Sequence, residues 1–123
     1  MYPVNVDERG SFQELAHASD VKFGQLSILQ VNPGCARGGH YHTRKEEEFC
    51  CIHGKCEMKM TNVKDGTTRV VLLDGSKQEF ILIKPYESHI VRNFSKSEVC
   101  ELLIIASEEY NPEDTDTFKS EGK

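Results

Sequence analysis

The stretch that decides the fold runs from Gly34 to Gly54 and reads G-C-A-R-G-G-H-Y-H-T-R-K-E-E-E-F-C-C-I-H-G. It sets His40 and His42 one residue apart and follows them with three consecutive glutamates. In an extended segment alternate side chains share a face, so the two imidazoles point the same way and Tyr41 points away. Taken alone, the pair is compatible with an ordinary polar strand as well as with half of a metal site.

Length and charge limit the classes of protein to which the chain can belong. Its 123 residues are enough for one domain with a core and too few for two ordinary ones. Fifteen basic and 20 acidic residues give a net charge of -5, so we expect no nucleic acid partner. The N-terminus has no apolar run typical of a signal peptide, and the longest apolar stretches are strand-sized. These features predict a cytoplasmic protein without membrane contact.

The cysteines show no spacing typical of a metal or redox motif. There are five, an odd number, and none forms a C-x-x-C pair. We therefore expect reduced thiols packed in the core. They are Cys35, Cys50, Cys51, Cys56 and Cys100.

From residue 24 onward, short apolar runs alternate with turn signals, a pattern typical of an all-β sandwich or barrel. Gly54 and Asp65-Gly66 each predict a tight hairpin, and together they indicate an antiparallel meander. The predicted strands are Gln25–Val31, Glu47–His53, Lys55–Asn62, Arg69–Leu73, Glu79–Ile83, His89–Phe94 and Cys100–Ala106.

We predict a single domain over residues 1–123, with its core at about 24–107. The segment after residue 107 is acidic and polar, which predicts a loosely ordered tail. Tyr110 and Phe118 are its candidate anchors, to the domain or to a second subunit.

The positions around the two histidines follow a regular spacing. Five residues separate Gly34 from His40, four separate His42 from Glu47, and six separate Glu47 from Gly54. So many constrained positions are unlike a solvated charged turn. The spacing therefore favours a site over an ordinary strand.

A second segment carries Pro85, His89 and Asn93 at four-residue intervals. The two segments together resemble the cupin pattern, G-x5-H-x-H-x(3,4)-E-x6-G followed by a motif with Pro, His and Asn. The resemblance implies an all-β cupin fold, a double-stranded β-helix or jelly-roll barrel, with both motifs lining its mouth.

The same resemblance implies that His40, His42, Glu47 and His89 converge on one divalent transition metal. Three imidazoles and one carboxylate suit zinc, our first expectation, and also iron, manganese or nickel. Glu46 fits the looser form of the motif and stays the alternative ligand.

Two local segments indicate which group of cupins the chain resembles. D-E-R-G-S-F, from Asp7 to Phe12, and A-R-G-G-H, from Ala36 to His40, resemble cupins that act on nucleotide-linked 4-keto sugars. These include dTDP-4-dehydrorhamnose 3,5-epimerases and dTDP-sugar 3,4-ketoisomerases. The likeness is closest to the metal-binding cupin half of capsular polysaccharide enzymes that make UDP-2-acetamido-2,6-dideoxyhexoses, and it runs from about Asp7 to Phe118.

Comparison with these cupins also suggests roles for Arg37, His40 and Tyr86. Arg37 would bind the nucleotide diphosphate or orient the sugar. His40 matches the catalytic base of the metal-free epimerases. Tyr86 stands where the related motif P-G-Y-x-H has glycine, so we expect a turn of another shape if the original needs a positive φ. Tyr86 then becomes a candidate for acid–base catalysis.

The implied function is that of an isomerase, an epimerase or ketoisomerase of a nucleotide-linked 4-keto-6-deoxy sugar in cell-surface polysaccharide biosynthesis. Two other functions stay open at this point. One is a non-catalytic cupin that binds a sugar or metal and serves a partner enzyme, and the other is a metal-dependent dioxygenase of a small molecule. A homodimer is expected because related cupins commonly dimerise.

Overall fold

Strands, with no helix among them, form all the regular secondary structure of residues 2–120, the part of the chain that this computed structural model describes. Accordingly, no helix in this range is long and apolar enough to cross a membrane. The strands are β1 Val4–Asp7, β2 Gly10–Gln13, β3 Gln25–Val31, β4 Ala36–Tyr41, β5 Glu47–His53, β6 Lys55–Asn62, β7 Thr68–Asp74, β8 Phe80–Ile83, β9 Glu87–Arg92, β10 Cys100–Ala106 and β11 Phe118–Lys119.

Two antiparallel sheets face each other and form the barrel. One has the strand order β3-β10-β5-β8, and the other has the order β11-β4-β9-β6-β7. The hairpin of β1 and β2 forms a small sheet of its own. Because neighbouring strands in a sheet are mostly distant in sequence, the topology is a jelly roll. The predicted all-β cupin fold is confirmed.

Alternating side chains fill the space between the two sheets. Along β6, for example, Cys56, Met58 and Met60 are buried, and each intervening residue is more exposed. This period of two is what a strand with one face on a core requires. The buried cluster also contains Val31, Phe49, Cys51, Leu73, Ile83, Val91, Cys100 and Leu102.

The sequence predicted most strands well where the apolar alternation is strong. The predicted bounds of β3, β5, β6 and β10 match the observed ones, and those of β7, β8 and β9 differ by one or two residues at one or both ends. Strands β1, β2, β4 and β11 were not predicted. Strand β4, A-R-G-G-H-Y, has no apolar alternation, and it is held instead by pairing with β9.

Only one of the two predicted hairpins forms. The turn at Asp65-Gly66 joins the paired strands β6 and β7. Gly54, in contrast, lies between β5 and β6, which belong to different sheets, so the meander prediction is wrong. At Gly54 φ is +76°, and an added Cβ would lie 2.6 Å from the Val99 carbonyl oxygen. Glycine is needed there because the chain crosses between sheets while touching the backbone before β10.

The pairing of β4 with β9 is interrupted once, at the glycine pair of the A-R-G-G-H segment. Arg37 lies opposite Val91, and His40 lies opposite His89, so the register shifts by one residue between these pairs. Directly opposed residues of an antiparallel pair put their side chains on the same face. Val91 and His89 face the barrel interior. The bulge therefore points Arg37 and His40 to the same interior face, although they are three residues apart.

The acidic segment after residue 107 packs on the barrel at Phe118, one of its two candidate anchors. Strand β11 pairs with β4, and the Phe118 ring stacks on Tyr41 with centroids 5.6 Å apart. The backbone N–H of Ser120 donates to the Gly39 carbonyl at 3.0 Å. Tyr110, the other candidate anchor, is 57% exposed. The last three residues lie outside the described part of the chain.

The glycine bulge predicts a measurable difference between two glycines that both have a positive φ. An added Cβ at Gly38 would lie 2.5 Å from the His89 carbonyl oxygen, whereas at Gly66 nothing lies within 4 Å, and φ is positive at both. We expect Gly38→Ala to lower the free energy of unfolding by about 2–3 kcal/mol, against about 1 kcal/mol for Gly66→Ala. Urea denaturation measures both values. Equal losses would show that contact between β4 and β9 is not tight at this point.

Candidate metal centre

Three histidines and one glutamate meet at the end of the barrel interior. Ring nitrogens of His40, His42 and His89 all lie within 4.8 Å of one another. Glu47 Oε1 is 2.9 Å from His42 Nε2 and 3.3 Å from His89 Nε2. His42 is 4% exposed and His89 is 3% exposed. The structure thus brings together the four side chains that the cupin motif named as ligands.

Each of the two buried imidazoles is oriented by a backbone carbonyl. His42 Nδ1 lies 2.6 Å from the Asp116 carbonyl oxygen, and His89 Nδ1 lies 3.2 Å from that of Glu87. A carbonyl oxygen only accepts, so we assign the ring proton to Nδ1 in both residues. Nε2 then carries the free lone pair, and it faces Glu47. Histidines that bind metals commonly have their second nitrogen fixed in this way.

The distances to Glu47 fit a shared metal ion. In this tautomer a neutral Nε2 and a carboxylate oxygen both have lone pairs and repel each other unless a proton or cation lies between them. Two ligand atoms at about 2.0–2.1 Å from one metal are separated by about 2.9–3.4 Å at tetrahedral to octahedral angles. The observed separations of 2.9 and 3.3 Å fall in that range. The donors present therefore fit a divalent transition metal.

The electrostatics of the cluster favour the forms that bind metals. Burial lowers the pKa of His40 to about 4, and the neighbouring His89 and His42 act in the same direction. His40 is therefore neutral at pH 7, with a lone pair available. Burial raises the pKa of Glu47, but the close contact with the His42 and His89 rings outweighs it and holds the pKa below its usual range. Glu47 is consequently an anion throughout the physiological range of pH.

The structure separates the three consecutive glutamates. Glu47 faces the interior, whereas Glu46 and Glu48 line a cavity of about 360 Å³ on the outer face of the four-stranded sheet. The backbone of Glu46 is paired with Ser107, whose N–H donates to the Glu46 carbonyl at 2.9 Å. Glu46, the alternative ligand, therefore lies outside the cluster.

Tyr86 has a positive φ, a conformation that suits glycine better than tyrosine. Its φ is +69°, which costs a non-glycine residue roughly 1–2 kcal/mol. Its N–H donates to the His42 carbonyl at 2.7 Å, and its ring lies between Tyr41, at 6.3 Å, and Lys64 Nζ, at 3.8 Å. These contacts hold the turn that carries His89. They also place the Tyr86 ring beside Tyr41, whose side chain points away from His40 and His42.

Arg37 lies at the open end of the same interior face. Its side chain is exposed, and among residues 2–120 it has no hydrogen-bond or ion-pair partner. The bulge directs it to the face that carries His40. The structure thus leaves this guanidinium free to bind a ligand near the histidines.

Asp116 is a site residue that sequence reasoning missed. Its buried carboxylate accepts hydrogen bonds from the N–H groups of Thr43, Arg44 and Lys45, at 2.9–3.0 Å, and from the Thr43 hydroxyl at 2.5 Å. Burial raises its pKa, but these bonds outweigh that effect and leave the pKa below its usual range. Its own carbonyl accepts from His42. One residue of the tail therefore fixes both His42 and the loop that leads to Glu47.

Comparisons with known proteins agree with this arrangement. Residues 5–118 match the family described as the polysaccharide biosynthesis C-terminal domain. The chain belongs to this family. A relative from Pseudomonas aeruginosa, UDP-2-acetamido-2,6-beta-L-arabino-hexul-4-ose reductase, is 32% identical over 116 residues, which cover 94% of this chain and 30% of the relative. The chain thus spans about a third of the length of that relative.

Solved structures show the same fold. The capsular polysaccharide assembling protein CapF from Staphylococcus aureus is 28% identical with a TM-score of 0.76, over 98% of this chain and 34% of that protein. The dTDP-6-deoxy-D-glucose-3,5-epimerase RmlC from Legionella pneumophila is 20% identical with a TM-score of 0.80, over 96% of this chain and 69% of that protein. These matches confirm the resemblance to sugar cupins that the two motifs indicated. The RmlC likeness, at this identity, shows the fold alone.

The role of Asp116 predicts that metal affinity depends on a residue that does not touch the metal. Asparagine tolerates the positive φ of +49° at this position but loses the charge and part of the hydrogen bonding. We expect Asp116→Asn to weaken binding of zinc by about tenfold to hundredfold, because the ligands lose their fixed orientation. Competition with a chromophoric chelator measures the affinity.

The matched control is Asp114→Asn, in the same segment, where the side chain is 61% exposed. It should bind zinc as the parent protein does. Equal affinity in Asp116→Asn and Asp114→Asn would rule out the orienting role of Asp116.

Proposed function

We propose that the chain is a metal-dependent epimerase or ketoisomerase that acts beside the keto group of a nucleotide-linked 4-keto-6-deoxy sugar in the synthesis of a cell-surface polysaccharide. The observation that carries this proposal is the convergence of three imidazoles and a carboxylate on the interior face that also carries Arg37. The names of the relatives support the substrate class, since the Pseudomonas enzyme is a UDP-hexulose reductase.

The proposed metal ligands are His40, His42, Glu47 and His89, with zinc as the first expectation and iron, manganese or nickel compatible with the same donors. When bound, such an ion supplies Lewis-acid polarisation of a carbonyl, which makes the neighbouring C–H more acidic. The barrel wall around these side chains is apolar, and the low exposure of His42 and His89 keeps water away from two of the four donors.

Arg37 is proposed to bind the diphosphate of the nucleotide sugar. A guanidinium is always charged and presents planar pairs of N–H donors that match phosphate oxygens. The position of Arg37 also fits this role, because the side chain is exposed and lies on the same interior face as His40. The sugar would then lie between Arg37 and the histidine cluster.

His40 and Tyr86 are the two proposed proton carriers. Removal of a proton beside the ketone and its return to the opposite face gives an epimer, and return to the adjacent carbon gives a ketoisomer. His40 is neutral at pH 7 because burial lowers its pKa to about 4, and its ring has no hydrogen-bond partner among residues 2–120. A metal-bound neutral imidazole has no free lone pair, so His40 would act as the base only when it does not bind the metal. Tyr86 would have to turn its ring away from Tyr41.

A homodimer is part of this proposal. Leu26 and Ile28, on the outer face of the edge strand β3, are 56% and 64% exposed, and the nearby Phe23 is 65% exposed. Exposed apolar side chains that lie together on one face commonly mark a contact between proteins.

The proposed reaction predicts exchange of hydrogen beside the ketone. We expect zinc-loaded protein in heavy water to place deuterium next to the keto group of a UDP- or dTDP-linked 4-keto-6-deoxy sugar, as measured by NMR. His42→Ala should lose both the metal and the exchange while keeping the fold, as judged by circular dichroism. Absence of exchange with every such sugar, in protein that holds one equivalent of metal, would exclude the proposed reaction.

The role of Arg37 predicts a defect in substrate binding alone. Arg37→Ala should raise KM for the nucleotide sugar about tenfold to hundredfold, as expected for loss of hydrogen bonds to a charged group. Its zinc content should stay unchanged. Lys96→Ala is the control, because Lys96 is exposed in the loop between β9 and β10, outside both motifs. An unchanged KM in Arg37→Ala would place the diphosphate elsewhere.

A further inference from the structure

Three cysteines form a second cluster in the barrel, apart from the histidines. The sulfur atoms of Cys51, Cys56 and Cys100 all lie within 4.8 Å of one another. Cys56 and Cys100 are the closest, with 2.8 Å between their sulfur atoms, and Cys51 lies 3.7 Å from Cys100. Non-bonded heavy atoms have their optimal separation at about 3.5–4.0 Å. The first pair is therefore in unusually close contact.

The surroundings of the cluster favour neutral sulfur over thiolate. All three residues are at most 3% exposed and belong to the apolar core. The Cys51 thiol lies 3.4 Å from the carbonyl oxygens of both His53 and Gly54, which accept from a thiol and repel a thiolate. Metal binding requires thiolates, and no cationic side chain belongs to this buried cluster. A disulfide is uncharged and fits these surroundings better than a metal ion.

We propose that Cys56 and Cys100 are an oxidisable pair that forms a disulfide between the two sheets of the barrel. Cys56 lies in β6 of the five-stranded sheet, and Cys100 lies in β10 of the four-stranded sheet. The backbone already holds the two strands together here, since a Cβ at Gly54 would lie 3.2 Å from Cys100 Cα. The bond therefore forms where the sheets are in contact.

The oxidant is a hydroperoxide, which reacts in two steps. When the strand ends open, one thiol loses its proton to water, and the thiolate attacks a peroxide oxygen and becomes a sulfenic acid, with release of water or an alcohol. The second thiol then displaces water from the sulfenic acid to form the S–S bond. With hydrogen peroxide, two thiols and one peroxide give one disulfide and two waters. Both cysteines lie at strand ends: Cys56 follows the exposed Lys55, and Cys100 comes two residues after the exposed Glu98. Limited opening of these ends therefore admits a molecule of this size.

The disulfide would stabilise the fold without changing the metal centre. It closes a loop between residues 44 apart in sequence, which restricts the unfolded chain. Cys56 precedes Met60 by four residues, and Met60 pairs with His89, so the pair lies about 13 Å along the strand from the histidines. We expect oxidation to raise the midpoint of thermal unfolding by about 10 °C. This inference is independent of the proposed enzymatic function.

The test uses a Cys35→Ser protein, because Cys35 is exposed and would react by itself. Reduced protein is treated with hydrogen peroxide, denatured, and its remaining thiols are counted. We expect two of the four thiols to be lost and a non-reduced peptide map to show Cys56 linked to Cys100. Adding Cys100→Ala to this protein should prevent the loss, and adding Cys50→Ala, at another buried cysteine, should not.

Peptide mapping keeps the test independent of how well the core variants fold. Retention of all four thiols after treatment at a temperature just below unfolding would overturn the proposal, as would a linked pair other than Cys56 and Cys100. Zinc affinity of the oxidised protein should equal that of the reduced protein. A loss of affinity would contradict the separation of the two clusters.

Discussion

The pairing of β4 with β9, with its single interruption at Gly38 and Gly39, is the constraint on which the rest of the structure depends. Without the extra residue, strict alternation would put Arg37 and His40 on opposite faces. With it, Arg37 and the first imidazole share the interior face. Glycine is required because the bulge needs positive φ values and brings the chain within contact of the His89 backbone. A short segment of low strand propensity therefore determines the chemistry of the barrel mouth.

The second requirement is that the buried polar groups of the site have partners. A buried charge without a partner costs several kcal/mol, so a cluster of imidazoles and a carboxylate inside a barrel needs surrounding groups that orient and neutralise it. Glu47 meets two imidazole nitrogens, and the second nitrogen of each is fixed by a carbonyl. The tail supplies one of these carbonyls through Asp116. Folding of the tail onto β4 and formation of the site are therefore physically coupled.

The sequence was sufficient for features that depend on local pattern or fixed spacing. Apolar alternation gave β3, β5, β6 and β10 with correct bounds, and the motif spacing selected the four side chains that meet.

The sequence was insufficient where tertiary contact overrides local preference. Gly54 has the signal of a hairpin, but the strands around it pair with other partners. Tyr86 keeps a conformation suited to glycine because Tyr41 and Lys64 pack on its ring. Asp116 could not be found, since an aspartate 69 residues after Glu47 has no spacing that marks it.

We propose that the histidine cluster, and not the cysteine cluster, holds a metal ion. X-ray absorption spectroscopy of the zinc-loaded protein tests this directly, because nitrogen and oxygen ligands lie at about 2.0–2.2 Å and sulfur at about 2.3 Å. We predict one equivalent of zinc with only nitrogen and oxygen neighbours and the multiple-scattering pattern of several imidazoles. A sulfur shell around the zinc, or zinc without imidazole scattering, would contradict the account.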